Sequence, residues 1–140
     1  MLRVYDKQKE LWLKGDFCIM SNGDLAELKK MPFGLEKINL LSDDRYFWHE
    51  DIGAYDINGN LIFEGDICEL NLGEESIYCI VAYIEQRAAY LLFDEKNLSY
   101  YQFNEHIFNA LSVISNVFDG QDILDSYVNS MEIGTSKDGE

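Results

Sequence analysis

Glu64-Gly65-Asp66 places two carboxylates on either side of a glycine. Oxygen donors at that spacing suit a hard divalent cation. Such a site needs further ligands, and Asp51, Asp56 or Glu69 would have to converge on the pair. A structural reading competes with it. Gly65 supplies an unusual backbone angle at a corner, and Asp66 accepts hydrogen bonds from loop amides. The structural reading is the preferred one. His49-Glu50-Asp51 and Glu105-His106 are the other cluster of metal or acid–base type. Their spacing fits no ligand motif, and His49 follows Tyr46-Phe47-Trp48, which makes it an expected partly buried aromatic partner. No serine or cysteine stands in a setting that activates a nucleophile, and no glycine loop is built to cradle phosphates. No catalytic residue, metal ligand or cofactor is therefore assigned, and the chain is expected not to be an enzyme.

Short elements must position these residues. The chain has 140 residues, of which 47% are hydrophobic, enough for a buried core. One proline, Pro32, and ten glycines punctuate short apolar runs, the pattern of a β-rich chain. Leu2 to Tyr5, Leu11 to Leu13 and Phe17 to Met20 read as strands, and Asn22-Gly23 signals a hairpin. Leu25 to Lys30 reads as strand or helix. Further on, Ile67 to Leu72 alternates with period two, and Ile77 to Ile84 is continuously apolar, which predicts a central strand. Ala88 to Phe93 and Leu98 to Phe103 follow as a hairpin. One or two helical turns are expected in Asn104 to Leu111, and a last strand in Val113 to Phe118. A C-terminal helix is expected after Asp119 as its cap, with Ile123, Leu124, Tyr127, Val128 and Met131 as its apolar stripe. About five short hairpin-joined strands predict a small barrel, with a sandwich as the structural alternative. Cys18, Cys68 and Cys79 lack a CxxC spacing and read as reduced, structural thiols.

The charge is uneven. Acidic residues outnumber basic ones 26 to 11, a net −15. Residues 1 to 45 hold eight of each sign, so the whole excess lies in 46 to 140, where Arg87, Lys96 and Lys137 face eighteen carboxylates. Nucleic-acid affinity comes largely from cations that displace counterions, so nucleic acid is not an expected partner of the acidic part. Anionic membranes are disfavoured for the same reason, and no apolar run approaches the roughly 20 residues of a membrane helix. The polar first ten residues do not resemble a secretory leader, and a cytoplasmic location is expected.

Three stretches resemble the YopX-like family of phage and prophage proteins. Between Asp51 and Ile67 the matching positions are Gly53, Asp56, Asn58, Gly59, Ile62, Phe63, Glu64, Gly65, Asp66 and Ile67. Val113 to Phe118, with Asn116, and then Asp119 to Leu124 form a second match, and Leu2 to Asp6 with Leu11 to Leu13 a third. Ser115 stands where the family usually has glycine, and Gly120-Gln121 where it has Asn-Pro. The resemblance implies an α+β, mostly β fold: an N-terminal α/β portion (1–45), an acidic SH3-like barrel with a C-terminal helix (46–128), and a tail (129–140). It implies a phage context and no mechanism.

The expected function is a non-enzymatic interaction module with a protein partner, probing that partner through one ring of Tyr100-Tyr101, since adjacent strand residues face opposite sides. Packing of that ring on the N-terminal portion is the competing use. Self-association is expected as well, with the neutral N-terminal portion of one copy docking on the acidic barrel of the next. The alternative from another class is an acidic DNA mimic that occupies a host nucleic-acid-binding protein. A divalent-metal enzyme built on Glu64 and Asp66 ranks third.

Overall fold

The computed structural model describes the backbone of residues 1–41 and 44–138, and side chains up to 130. The chain is mostly β and divides into two compact units, Met1–Asp51 and Ile52–Glu140. The expected change of charge regime at 45/46 falls close to this boundary.

The first unit holds β1 (Leu2–Asp6), β2 (Leu11–Trp12), β3 (Asp16–Ile19), β4 (Leu25–Lys30) and β5 (Glu36–Leu40). It also holds most of β6 (Tyr46–Tyr55). β1 lies between β2 and β6, antiparallel to both, with Tyr5 opposite Trp12 on one side and Phe47 on the other. β4 is the middle strand of a second antiparallel sheet, β3-β4-β5. The Asn22-Gly23 turn joins β3 to β4, with Gly23 at a φ of +92° and Met20 N donating to Asp24 O at 2.8 Å. Leu25 to Lys30 is thus strand: two antiparallel partners satisfy its amides, and its only buried residues, Leu25 and Ala26, lie at one end. The helical part of the expected α/β character is not found. Among the described residues this unit has no α-helix, only a 3₁₀ turn at Pro32–Gly34. Its apolar runs are too short and too often interrupted by glycine or proline to nucleate a helix.

The second unit adds β7 (Leu61–Phe63), β8 (Asp66–Asn71), β9 (Ser76–Ile84), β10 (Ala89–Asp94), β11 (Ser99–Gln102), α1 (Glu105–Phe108), β12 (Leu111–Asn116) and α2 (Gln121–Asp138). Five strands form an antiparallel sheet in the order β11-β10-β9-β8-β12. β9, the continuously apolar run, is its centre. The register sets Cys68 opposite Cys79, Leu70 opposite Ile77, and Leu92 opposite Val81. These six are buried, and with Ile62, Ile107, Leu111 and Tyr127 they form one core. Each fully buried aliphatic side chain here contributes about 1.5–3 kcal/mol over its exposed state.

Asn104 caps α1 through its Oδ1, which accepts from Ile107 N at 3.0 Å. In α2, Leu124 and Tyr127 of the expected stripe are buried and Ile123 and Val128 are partly buried. The residue before its first turn is Gly120 rather than Asp119. The helical backbone continues to Asp138, past the expected start of a tail at 129. No proline interrupts this stretch, and Met131, Glu132 and Lys137 are good helix formers.

Candidate functional site: a clasp of buried aspartates

Asp56 directly follows β6 and is buried. Its Oδ1 accepts from Asn58 N at 2.9 Å and Asn60 N at 2.8 Å. Its Oδ2 accepts from Asn60 Nδ2 at 3.3 Å and, 57 residues on, from Val113 N at 2.8 Å. Gly59, at a φ of +81°, completes the turn, its N–H donating to Asp56 O at 3.1 Å. Burial alone raises the Asp56 carboxyl, but the donations from Val113, Asn60 and Asn58 outweigh it and hold the group below the ordinary carboxylate value. Gly53, at a φ of +78°, lies exposed in β6 where that strand changes backbone hand.

The second carboxylate pair divides by environment. Asp66 is buried at the start of β8 and its Oδ2 accepts from Phe63 N at 2.8 Å. Glu64 is half-buried. Between them Gly65, at a φ of +81°, uses both backbone groups. Its N–H donates to Val81 O at 2.8 Å, and its carbonyl accepts from Val117 N at 2.9 Å. Asp66 lies opposite Asn116 in the β8–β12 register, and Ile67 lies opposite Ser115. Asn116 Oδ1 in turn accepts from Phe118 N and Asp119 N at 3.0 and 3.1 Å and opens the turn into α2. Ile62 fills the core beneath. Asp56, Asn58, Gly59, Ile62, Gly65, Asp66 and Asn116 are therefore brought together around β12. Their arrangement ties the β6–β7 turn and the β7–β8 corner to the last strand. Among the described residues, no three His, Cys, Asp or Glu side chains are grouped so as to hold a metal ion.

Two further buried aspartates escape the sequence reading. Asp6 Oδ1 accepts from Gln8 N, Lys9 N and Arg45 Nε at 3.0, 3.1 and 3.2 Å, and Oδ2 takes an Arg45 terminal nitrogen at 2.5 Å. The Arg45 guanidinium holds the Asp6 carboxyl below its ordinary value. Asp94 Oδ1 accepts from Tyr127 Oη at 3.0 Å and Oδ2 from Asn97 Nδ2 at 2.7 Å, which ties α2 to the β10–β11 turn. Both are followed at once by charged turn residues, Lys7 and Glu95, a signal indistinguishable from an ordinary solvated turn.

The histidines lie one in each unit. His49 is buried on β6, with its ring 5.7 Å from Phe47 and 6.1 Å from Trp12. Burial, with the Arg3 charge beside it, lowers its pKa to about 4. Arg3 itself lies 4.6 Å above the Trp12 ring. His106 is exposed on α1. Of the tyrosine pair, Tyr101 turns inward against the core and Tyr100 turns out, 54% exposed, with its ring 4.9 Å from Phe93 on the neighbouring strand. Leu98, exposed in the same hairpin, takes a φ of +51°.

Residues 2–125 match the family described as YopX protein. The chain belongs to this family. Among solved structures, protein EF1440 from Enterococcus faecalis superposes with a TM-score of 0.60 at 20% identity, covering 88% of this chain and 96% of that one. Protein YopX from Bacillus subtilis gives a TM-score of 0.60 at 17% identity, covering 86% and 94%. No curated protein matches the chain. Two of the three stretches of YopX resemblance, 51–67 and 113–118, thus pair with each other through Asp56–Val113, Gly65–Val117 and Asp66–Asn116. No helix among the described residues is long and apolar enough to cross a membrane.

Proposed function

We propose that this YopX-family chain is a non-enzymatic protein-interaction module, an accessory protein of a phage or prophage acting in the host cytoplasm. In this reading the second unit is an SH3-like barrel that serves as a rigid platform, with the five-stranded sheet closed by the Asp56 and Gly65 clasp. The single observation that carries the reading is the division of labour on the surface. The four buried aspartates are engaged by turn amides and side-chain donors. Tyr100 and Leu98, by contrast, stand in the open on the β10–β11 hairpin. An exposed tyrosine stacked on a neighbouring ring is pre-organised for a contact at low entropic cost.

The test is capture of a host protein by the purified chain, repeated with Tyr100→Ala and Leu98→Ser. Binding that survives about 0.3 M salt, where the Debye length is near 6 Å, and that is lost in the variants supports an apolar docking hairpin. Binding lost by that salt and indifferent to both substitutions supports the DNA-mimic alternative. Turnover of a phosphodiester or nucleotide that disappears in a folded Asp66→Ala variant would replace both readings with an enzyme.

A further inference from the structure

The hairpin of β4 and β5 exposes Met31, Phe33, Leu35, Ile38 and Leu40, with Phe33 100% exposed. Phe33 and Gly34 take φ values of +66° and +76°, and Met31 N donates to Leu35 O at 2.7 Å, so the tip is a defined turn. β5 is the edge of its sheet. An apolar edge of this kind invites a partner unless something blunts it. The hairpin also carries the exposed Lys29, Lys30 and Lys37 against exposed Glu36 and half-buried Glu27, which lies 3.6 Å from Lys29 Nζ, so residues 25 to 40 are net +1 in a chain of net −15.

The complement of this surface lies on the second unit. Residues 52 to 140 hold sixteen carboxylates and three cationic side chains. Ile57 and Leu72 are exposed there. Backbone bonds hold both beside the start of β12: Ile57 N donates to Leu111 O at 3.0 Å, and Asn71 N donates to Ala110 O at 3.0 Å. The next residues after Leu72 form the β8–β9 turn, closed by Leu72 N to Glu75 O at 2.8 Å, with Glu74 and Glu75 exposed. One surface is apolar with lysines at its margin, and the other is apolar with glutamates at its margin.

We infer that the β4–β5 hairpin of one copy docks on the Ile57, Leu72, Glu74 and Glu75 surface of a second copy. The inference rests on the reading of the chain as an interaction module and names one of its partners as itself. The two surfaces differ, so the contact is head-to-tail. Phe33 and Leu35 cover Ile57 and Leu72, and Lys29 and Lys30 face Glu74 and Glu75.

Analytical ultracentrifugation of the full chain tests it. The wild type is expected to self-associate at low salt and to weaken by at least about tenfold at roughly 0.5 M salt, where screening lengths are only a few ångströms. K29E/K30E and, separately, E74K/E75K are expected to be folded monomers, and an equimolar mixture of the two is expected to associate again, because each restores the other's complement. Phe33→Ser is expected to weaken association by about tenfold or more. A wild type that stays monomeric at every salt concentration overturns the inference, as do charge-reversed variants that associate like the wild type or a mixture that stays monomeric. A monomeric wild type that still captures a foreign protein through Tyr100 would overturn this inference and leave the module reading standing.

Discussion

Two departures from the YopX pattern meet in space. Ser115 stands where glycine is usual, and Gly120 stands where the family has a residue with a side chain. A Cβ placed at Gly120 would lie 2.4 Å from Ser115 Oγ, 2.7 Å from Ser115 Cβ and 3.0 Å from Ile67 Cδ1. The serine fills the volume that the glycine leaves, so each change makes room for the other. Gly120→Ala is expected to destabilise by roughly 1–3 kcal/mol, the usual cost of overpacking. The double variant G120A/S115G is expected to recover most of that loss in denaturant melts. Additive losses would show that the pair is not coupled. Asp56 makes a second prediction at this scale. Asp56→Ala leaves the amides of Asn58, Asn60 and Val113 without their acceptor. A loss of roughly 2–4 kcal/mol is expected, with unfolding midpoints as the measurement; a loss under about 1 kcal/mol would contradict the clasp.

Among the elements, α2 depends on a side-chain anchor as well as on its apolar stripe. Tyr127 packs its ring 5.2 Å from Tyr78, donates to Asp94 Oδ1, and lies 4.9 Å beneath Lys96 Nζ. Its phenol is pushed far above the ordinary value, first by burial and then by the Asp94 carboxylate it donates to. Removing the hydroxyl strands a buried carboxylate oxygen that Asn97 N reaches only at 3.3 Å. Tyr127→Phe is therefore expected to cost about 1–3 kcal/mol. It is also expected to speed amide exchange in 121–128 more than in β9; uniform acceleration across both elements would contradict a local anchor. Asp94→Ala is expected to raise exchange in α2 and in the β10–β11 turn together, since one carboxylate serves both.

For the whole molecule, acidification removes stability in two stages. His49 has its pKa lowered from 6.5 to about 4. Above pH 6.5 it is neutral folded and unfolded, and contributes no pH dependence. Below 6.5 the unfolded chain takes up a proton that the folded chain refuses, so stability falls between about pH 6.5 and 4, by on the order of 3 kcal/mol. Asp6 and Asp56 act next. Their folded pKa values lie below the unfolded 3.8, so their stabilisation is present above that value and is lost as pH falls through the lower folded values. Urea midpoints measured across pH 7 to 3 should show both stages, and His49→Gln should flatten the first while leaving the second. A curve that is flat from 6.5 to 4 in the wild type would contradict the buried, neutral imidazole.

The sequence by itself determined the mostly β character, the hairpins at Asn22-Gly23 and between Ala88–Phe93 and Leu98–Phe103, the central strand at Ile77 to Ile84 and the C-terminal helix. These are local: alternation, continuous apolarity and turn residues act within a few positions. It also determined the family, through residues whose turn chemistry is written in their types: Gly59, Gly65 and Asp66. The state of Leu25 to Lys30 was decided by β3 and β5, which supply its backbone partners from outside the segment. The pairing of the 51–67 and 113–118 stretches, the Asp6–Arg45 and Asp94–Tyr127 anchors, and the fit of Ser115 against Gly120 were likewise decided only by the tertiary structure. Each joins groups whose meeting depends on strand register and on which volumes are already filled. A buried aspartate and a solvated one look alike in a sequence, because the difference between them is the set of donors that the rest of the fold brings to the same place.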